Sequence, residues 1–180
     1  MSSYTKVELE ALLDGKMPWD KVQEIIKNPK DTTRFEDVVN IFQERVKFKE
    51  KILLPLTPKL FIVQKGKERV IKCCCSHEYG DYRVNWKLYS NVYVRDTQES
   101  LDEVYPGSHS LDPRNAQIRE YYCPGCASQL EVEALPRGVP ADFEFLPDLD
   151  TFYHHWLGKV LPEEFEHVDK TGEVLKHWAK

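Results

Sequence analysis

Between Thr33 and Lys49 the apolar residues Phe35, Val38, Val39, Phe42 and Val46 fall three or four positions apart. That period predicts a helix half-buried against a core. Ahead of it, Thr5-Lys6-Val7-Glu8 has the spacing of a capping box, and Val7, Leu9, Leu12 and Leu13 follow before Asp14-Gly15 closes a short helix. Pro18 stands near the start of a second helix carrying Trp19, Val22, Ile25 and Ile26, with Asn28-Pro29 as its stop.

The text then changes period. Two prolines in Leu53-Leu54-Pro55-Leu56-Thr57-Pro58 break the helical pattern, and Leu60–Gln64 and Arg69–Lys72 flank a turn at Gly66 as a hairpin would. Three further runs, Tyr89 to Arg95, Ile118 to Tyr122 and Leu130 to Ala134, are rich in aromatic and β-branched residues and complete a small antiparallel sheet. Ser100 to Tyr105 suits a helical turn, and Pro106 to Arg114 a loop. Phe152, Tyr153 and Trp156 predict a short aromatic helix from Asp150 to Leu157 ending at Gly158. Beyond Pro162 few residues can be buried, and that tail suits ordering on a partner. The expected class is α+β in three parts: helices over 1–50, a zinc-ribbon-like β region over 51–147, and a short helix with a partner-binding tail over 148–180.

Composition narrows the function classes. The apolar share of 41% and aromatic share of 12% are enough for one packed domain in 180 residues. No run approaches a membrane span, and Met1-Ser2-Ser3 leads into an acidic segment rather than an export signal, so a cytoplasmic location is expected. A net charge of −5 argues against nucleic acid as partner, because neutralising phosphates needs clustered Lys and Arg. Lys47, Lys49 and Lys51 interleave with Glu44 and Glu50 and read as a solvated helix face.

The five cysteines fall in two clusters. Without an export signal this favours metal over disulfides. Cys123-Pro124-Gly125-Cys126 has the two-residue spacer that lets a tight turn aim two sulfurs at one tetrahedral ion. In Cys73-Cys74-Cys75-Ser76-His77 an extended backbone would put Cys73, Cys75 and His77 on one side and Cys74 on the other. Cys73, Cys75, Cys123 and Cys126 are therefore the expected ligands of a closed structural Zn2+ site, with His77 as an alternative ligand or an outer hydrogen-bond partner. A dithiol role for Cys123 and Cys126 would call for a helix after the first thiol, whereas Gln129 to Ala134 alternates as a strand does.

No catalytic constellation is legible. His154 and His155 diverge on a helix and cannot readily chelate one ion. Asp142, Glu144, Asp148 and Asp150 lack the pattern of a calcium loop and read as a solvated acidic stretch. There is no Gly-rich phosphate loop and no nucleophile elbow.

Several stretches together resemble the small zinc-containing subunit of acetone and acetophenone carboxylases. They are Lys51 to Leu56 with Pro58 to Gln64, Cys73-x-Cys75-x-His77, Asn85-Trp86-Lys87-Leu88, Val94-Arg95-Asp96-Thr97, and Ile118-Arg119-Glu120-Tyr121 followed by Cys123-Pro124-x-Cys126. Cys74 and Gly80 depart from that pattern, and Gly80 points away from acetone itself as the substrate. The resemblance implies a subunit of a hetero-oligomeric, ATP-dependent, C–C bond-forming ligase. ATP and any further metal would then sit on larger partner subunits, and this chain would be a non-catalytic scaffold. A free-standing zinc ribbon that binds nucleic acid or protein is the competing reading.

Overall fold

The computed structural model describes residues 4–27, 31 and 33–178. Both Met1-Ser2-Ser3 and the Asn28-Pro29 helix stop lie outside the described residues. Three helices open the chain: α1 (Lys6–Leu13), α2 (Trp19–Lys27) and α3 (Arg34–Arg45). The capping box on α1 is formed, with the Thr5 hydroxyl accepting from the Glu8 N–H and the Glu8 carboxylate accepting from the Thr5 N–H. Helix α3 ends sooner than the apolar period suggested. Val46 is already extended, the Lys47 N–H donates to the Cys74 carbonyl at 3.2 Å, and Phe48 turns inward to meet Phe61 edge-on. Lys47, Lys49 and Lys51 are exposed, but on a turn and a strand rather than a helix face.

The strands form two antiparallel sheets. The first has the order β1 (Lys51–Pro55), β2 (Leu60–Lys65), β3 (Glu68–Cys73), β4 (Glu78–Asp81), and the second the order β5 (Asn91–Arg95), β6 (Ala116–Tyr122), β7 (Gln129–Pro136). The proline-broken segment before β2 is thus a strand, and Pro55 is tolerated because β1 lies at the sheet's edge. Strand β4 was not legible either, being short and polar around Gly80, whose φ of +86° suits glycine at the bulge facing Ile71.

Alternation along β2 explains the two-sided core. Leu60 and Ile62 face one cluster with Leu53, Ile71, Trp86 and Tyr121, while Phe61 and Val63 face another with Phe42, Phe48 and Val70. A strand buried on both faces needs an unbroken apolar run, which is why Leu60 to Val63 shows no polar alternation. Helix α3 covers the second face, and the second sheet and the C-terminal segment cover the first.

The helical turn expected near Ser100 is α4 (Gln98–Asp102), and the aromatic helix is one α turn, α5 (Leu149–Thr151), passing into a π turn at Phe152–Trp156. Its Tyr153 hydroxyl donates to the Leu53 carbonyl at 2.8 Å, stitching the segment to β1. The tail is placed by this chain's own contacts. Arg69, whose side chain is wholly buried, forks onto Asp150 at 2.6 and 2.7 Å, also donates to the Glu163 carbonyl, and lies 4.5 Å over the Phe165 ring. The Asn85 N–H donates at 2.9 Å to the hydroxyl of Thr171, the first residue of α6 (Thr171–Trp178). Among the described residues no helix is long and apolar enough to cross a membrane.

Candidate metal centre

The two cysteine clusters fold into turns with matching hydrogen bonds. In the first, the Cys73 N–H donates to the His77 carbonyl at 2.8 Å and the Ser76 N–H to the Cys73 carbonyl at 2.9 Å. In the second, the Cys123 N–H donates to the Ser128 carbonyl at 2.9 Å and the Ala127 N–H to the Cys123 carbonyl at 2.8 Å. Ser76 and Ala127 directly follow the second cysteine of each turn, and they are the two non-glycine residues at positive φ among the described residues, at 85° and 54°. Side chains avoid that region, so the sulfur geometry over-determines the backbone at both places.

Cys73, Cys75 and His77 consequently do not share one side of an extended strand. The backbone turns between them, and the turn rather than strand parity brings Cys73 and Cys75 together. All four sulfurs of Cys73, Cys75, Cys123 and Cys126 lie within 4.8 Å of one another. The short approaches run across the clusters, Cys73 to Cys126 at 3.8 Å and Cys75 to Cys123 at 3.7 Å. Zinc–sulfur bonds of about 2.3 Å in a tetrahedron require edges of roughly 3.8 Å, so the group is sized for such an ion.

Burial and hydrogen bonding act on these sulfurs in opposite directions. Cys73 and Cys123 are fully buried, and desolvation pushes the Cys73 thiol far up, with Cys75 raised for the same reason. Opposing this, the N–H groups of Cys75, His77 and Ser128 favour the anions of Cys73, Cys75 and Cys126, and the Gly125 N–H donates to Cys123 Sγ at 3.4 Å. The Ser128 hydroxyl, 3.3 Å from Cys126 Sγ, is the main cause that lowers this exposed thiol to about 6. The Tyr79 hydroxyl is buried with no conventional acceptor and is turned toward Cys123, whose thiolate would accept its hydrogen bond. A divalent cation supplies the positive charge that makes four clustered thiolates tolerable.

Neither Cys74 nor His77 belongs to the group. Cys74 Sγ lies 3.9 Å from Cys73 Sγ but packs with apolar side chains of both cores. His77 stacks edge-on against Tyr79 at 4.9 Å, and its Cβ would sit 3.0 Å from a Cβ at position 125, so glycine there lets the two turns approach closely. Cys74→Ser is expected to retain the wild-type metal content, read by elemental analysis after gel filtration; loss of metal would show that the ligand set includes Cys74.

A second cluster of acidic groups has a different explanation. Glu131, Glu133 and Glu144 converge, yet Lys87 Nζ sits among them, 2.8 Å from Glu131, paired to Glu133, and 3.4 Å from Glu144. An ammonium already neutralises the place where a cation would go. Asp142, Glu144 and Asp148 are exposed, as a solvated acidic stretch would be, whereas Asp150 is half-buried in its ion pair with Arg69. The Lys87 network was not found in the sequence, because a lysine and a glutamate dozens of residues apart carry no periodic signal.

Residues 46–157 match the family described as acetone carboxylase gamma subunit. The chain belongs to this family. It is 42% identical over 163 residues to the acetone carboxylase gamma subunit of Xanthobacter autotrophicus, covering 89% of this chain and 97% of that protein. It is also 29% identical over 110 residues to the acetophenone carboxylase beta subunit of Aromatoleum aromaticum, covering 60% of this chain and 78% of that one. The matched stretch of the gamma subunit family contains all four clustered cysteines together with Lys87, Glu131 and Glu133.

Proposed function

We propose that this chain is the small, non-catalytic subunit of a cytoplasmic, ATP-dependent ketone carboxylase, held together by one structural zinc on Cys73, Cys75, Cys123 and Cys126. The observation that carries the reading is the match to a carboxylase gamma subunit across 97% of that protein's length. Four thiolates complete a tetrahedral shell and leave no position for a reacting water, which suits a structural ion rather than a catalytic one. The metal's contribution here is rigidity: it joins the β3–β4 turn to the β6–β7 turn and so ties the two sheets together. ATP use and carbon–carbon bond formation then belong to larger subunits, with acetone or an aryl methyl ketone as substrate. Identity is higher, and over more of the chain, to the acetone enzyme's subunit than to the acetophenone enzyme's.

Native purification at low ionic strength tests this directly. The chain is expected to elute with larger subunits in a complex that carboxylates a methyl ketone when given ATP and bicarbonate. Elution as a free monomer, with that activity intact in its absence, would remove the reading.

A further inference from the structure

Resting on the reading of this chain as a docking subunit, we infer that its larger partner seats an apolar side chain with a neighbouring carboxylate in the hollow between α3 and the π turn. This hollow measures about 480 Å³ and is lined by Asp31 and Arg34 on one side and by Phe35, Phe152, Trp156 and Leu157. Its aromatic walls are built: Phe35 meets Phe152 edge-on at 5.1 Å, and Phe152 lies 6.2 Å from Trp156 at a tilt of 38°. Trp156 is nevertheless 76% exposed, and Val160 beyond it 79%. A tryptophan packed on one side only is a large apolar surface without a cover.

Charge on this face selects the occupant. Lys159 nearby is paired with Glu36, and the Asp31 carboxylate accepts from the Thr33 and Arg34 N–H groups at 3.0 and 3.3 Å. The Arg34 guanidinium has no ion pair among the described residues, so the hollow presents a cation beside an aromatic wall. Tryptophan and arginine are the residue types that most often carry binding energy at interfaces. A carboxylate from the partner meets Arg34 while an apolar side chain covers Trp156. A second copy of this chain is a poorer occupant, since a two-fold contact through the same face would set one Arg34 near its equivalent. The opening is also shallow, with its tryptophan wall mostly in solvent, whereas pockets for small molecules bury most of their ligand. The π turn gives the face its shape, because widening after Thr151 sends Tyr153 into the core while leaving Trp156 outside.

Binding of the full-length chain to the purified larger subunits, measured over a salt series, tests the inference. Trp156→Ala is expected to weaken binding roughly 30-fold, as loss of a central anchor does. Arg34→Ala should weaken it less and flatten the salt dependence. Trp19→Ala is the control, being a tryptophan 67% exposed on α2, and should bind as wild type does. The two tryptophan variants should melt with the wild type, since both side chains are mostly exposed, and the Arg34 variant is read only after its melting curve shows it folded. If the wild type binds and Trp156→Ala binds equally well, the docking site is wrong while the subunit reading stands. If the wild type does not bind at all, both fail. A wild-type homodimer that Trp156→Ala dissolves would overturn the choice of occupant.

Discussion

Cys123→Ser is expected to yield a chain that holds less than about a tenth of the metal bound by the wild type and shows no cooperative thermal transition. Cys123 is fully buried, its sulfur lies 3.7 Å from that of Cys75, and it joins turns from two different sheets. Structural zinc contributes roughly 10–16 kcal/mol of apparent binding free energy in small sites, as large as the whole stability of a typical domain. Losing it also leaves Cys73 and Cys75, whose thiols burial has already pushed up, with no cation to share. A strong chelator at neutral pH should reproduce the effect in the wild-type chain, and added Zn2+ should reverse it. Metal analysis, circular dichroism and melting curves on the same samples would decide. A wild-type melting temperature in both Cys123→Ser and Cys126→Ser would mean that the ion, if bound, does not organise this fold.

The second large effect should come from Lys87→Met. Its ammonium and the Glu133 carboxylate each have only 3% of their side-chain surface exposed. Glu133 also accepts from the Tyr121 hydroxyl at 2.7 Å, and the ammonium lies 5.4 Å above the Tyr121 ring. Removing one partner from a buried pair typically costs about 3–5 kcal/mol, because the other charge stays buried without compensation. For a chain of this size that corresponds to a fall of about 10 °C in melting temperature.

The deficit should depend on pH with a definite sign. Burial already raises the Glu131 carboxyl above its usual range, against the pull of Lys87. Without the lysine, Glu131 would bind its proton more tightly folded than unfolded. The variant therefore recovers stability relative to the wild type as pH falls toward and through the ordinary carboxylate range, and loses most at neutral pH and above. Adding Glu133→Gln to Lys87→Met should restore part of the loss, since an amide oxygen still accepts from Tyr121 and the most deeply buried of the three carboxylates is gone. Equal melting deficits at pH 5 and pH 8 would show that lost packing, not an uncompensated charge, is responsible.

Much of this was legible along the chain because the signal is local. The capping box at Thr5 and Glu8, the hairpin around Gly66 and the apolar run of β2 are each written within a few residues. The four cysteines announced themselves by composition and spacing, and the family resemblance rested on contiguous stretches. What misled was also local. The apolar period through Val46 extended α3 past its end, although that valine and Phe48 are apolar because they enter the core from an extended turn. Strand parity selected Cys73 and Cys75, although the backbone there is a turn with Ser76 held at positive φ.

Sequence alone determined which residue types were available for a metal, that Cys123 and Cys126 share a tight turn, and that the chain is an α+β domain of a recognisable kind. Only tertiary structure decided that the strands divide into two sheets, that the sulfurs pair across clusters at tetrahedral spacing, and that Lys87, Glu131, Glu133 and Glu144 meet. The same holds for Arg69 reaching Asp150, and for Trp156 being left outside while Tyr153 is buried. The reason is physical: helical period, turn chemistry and alternation are set by neighbouring residues. Ion pairing and burial of a charge depend on distances between segments far apart in the chain, which no local pattern encodes.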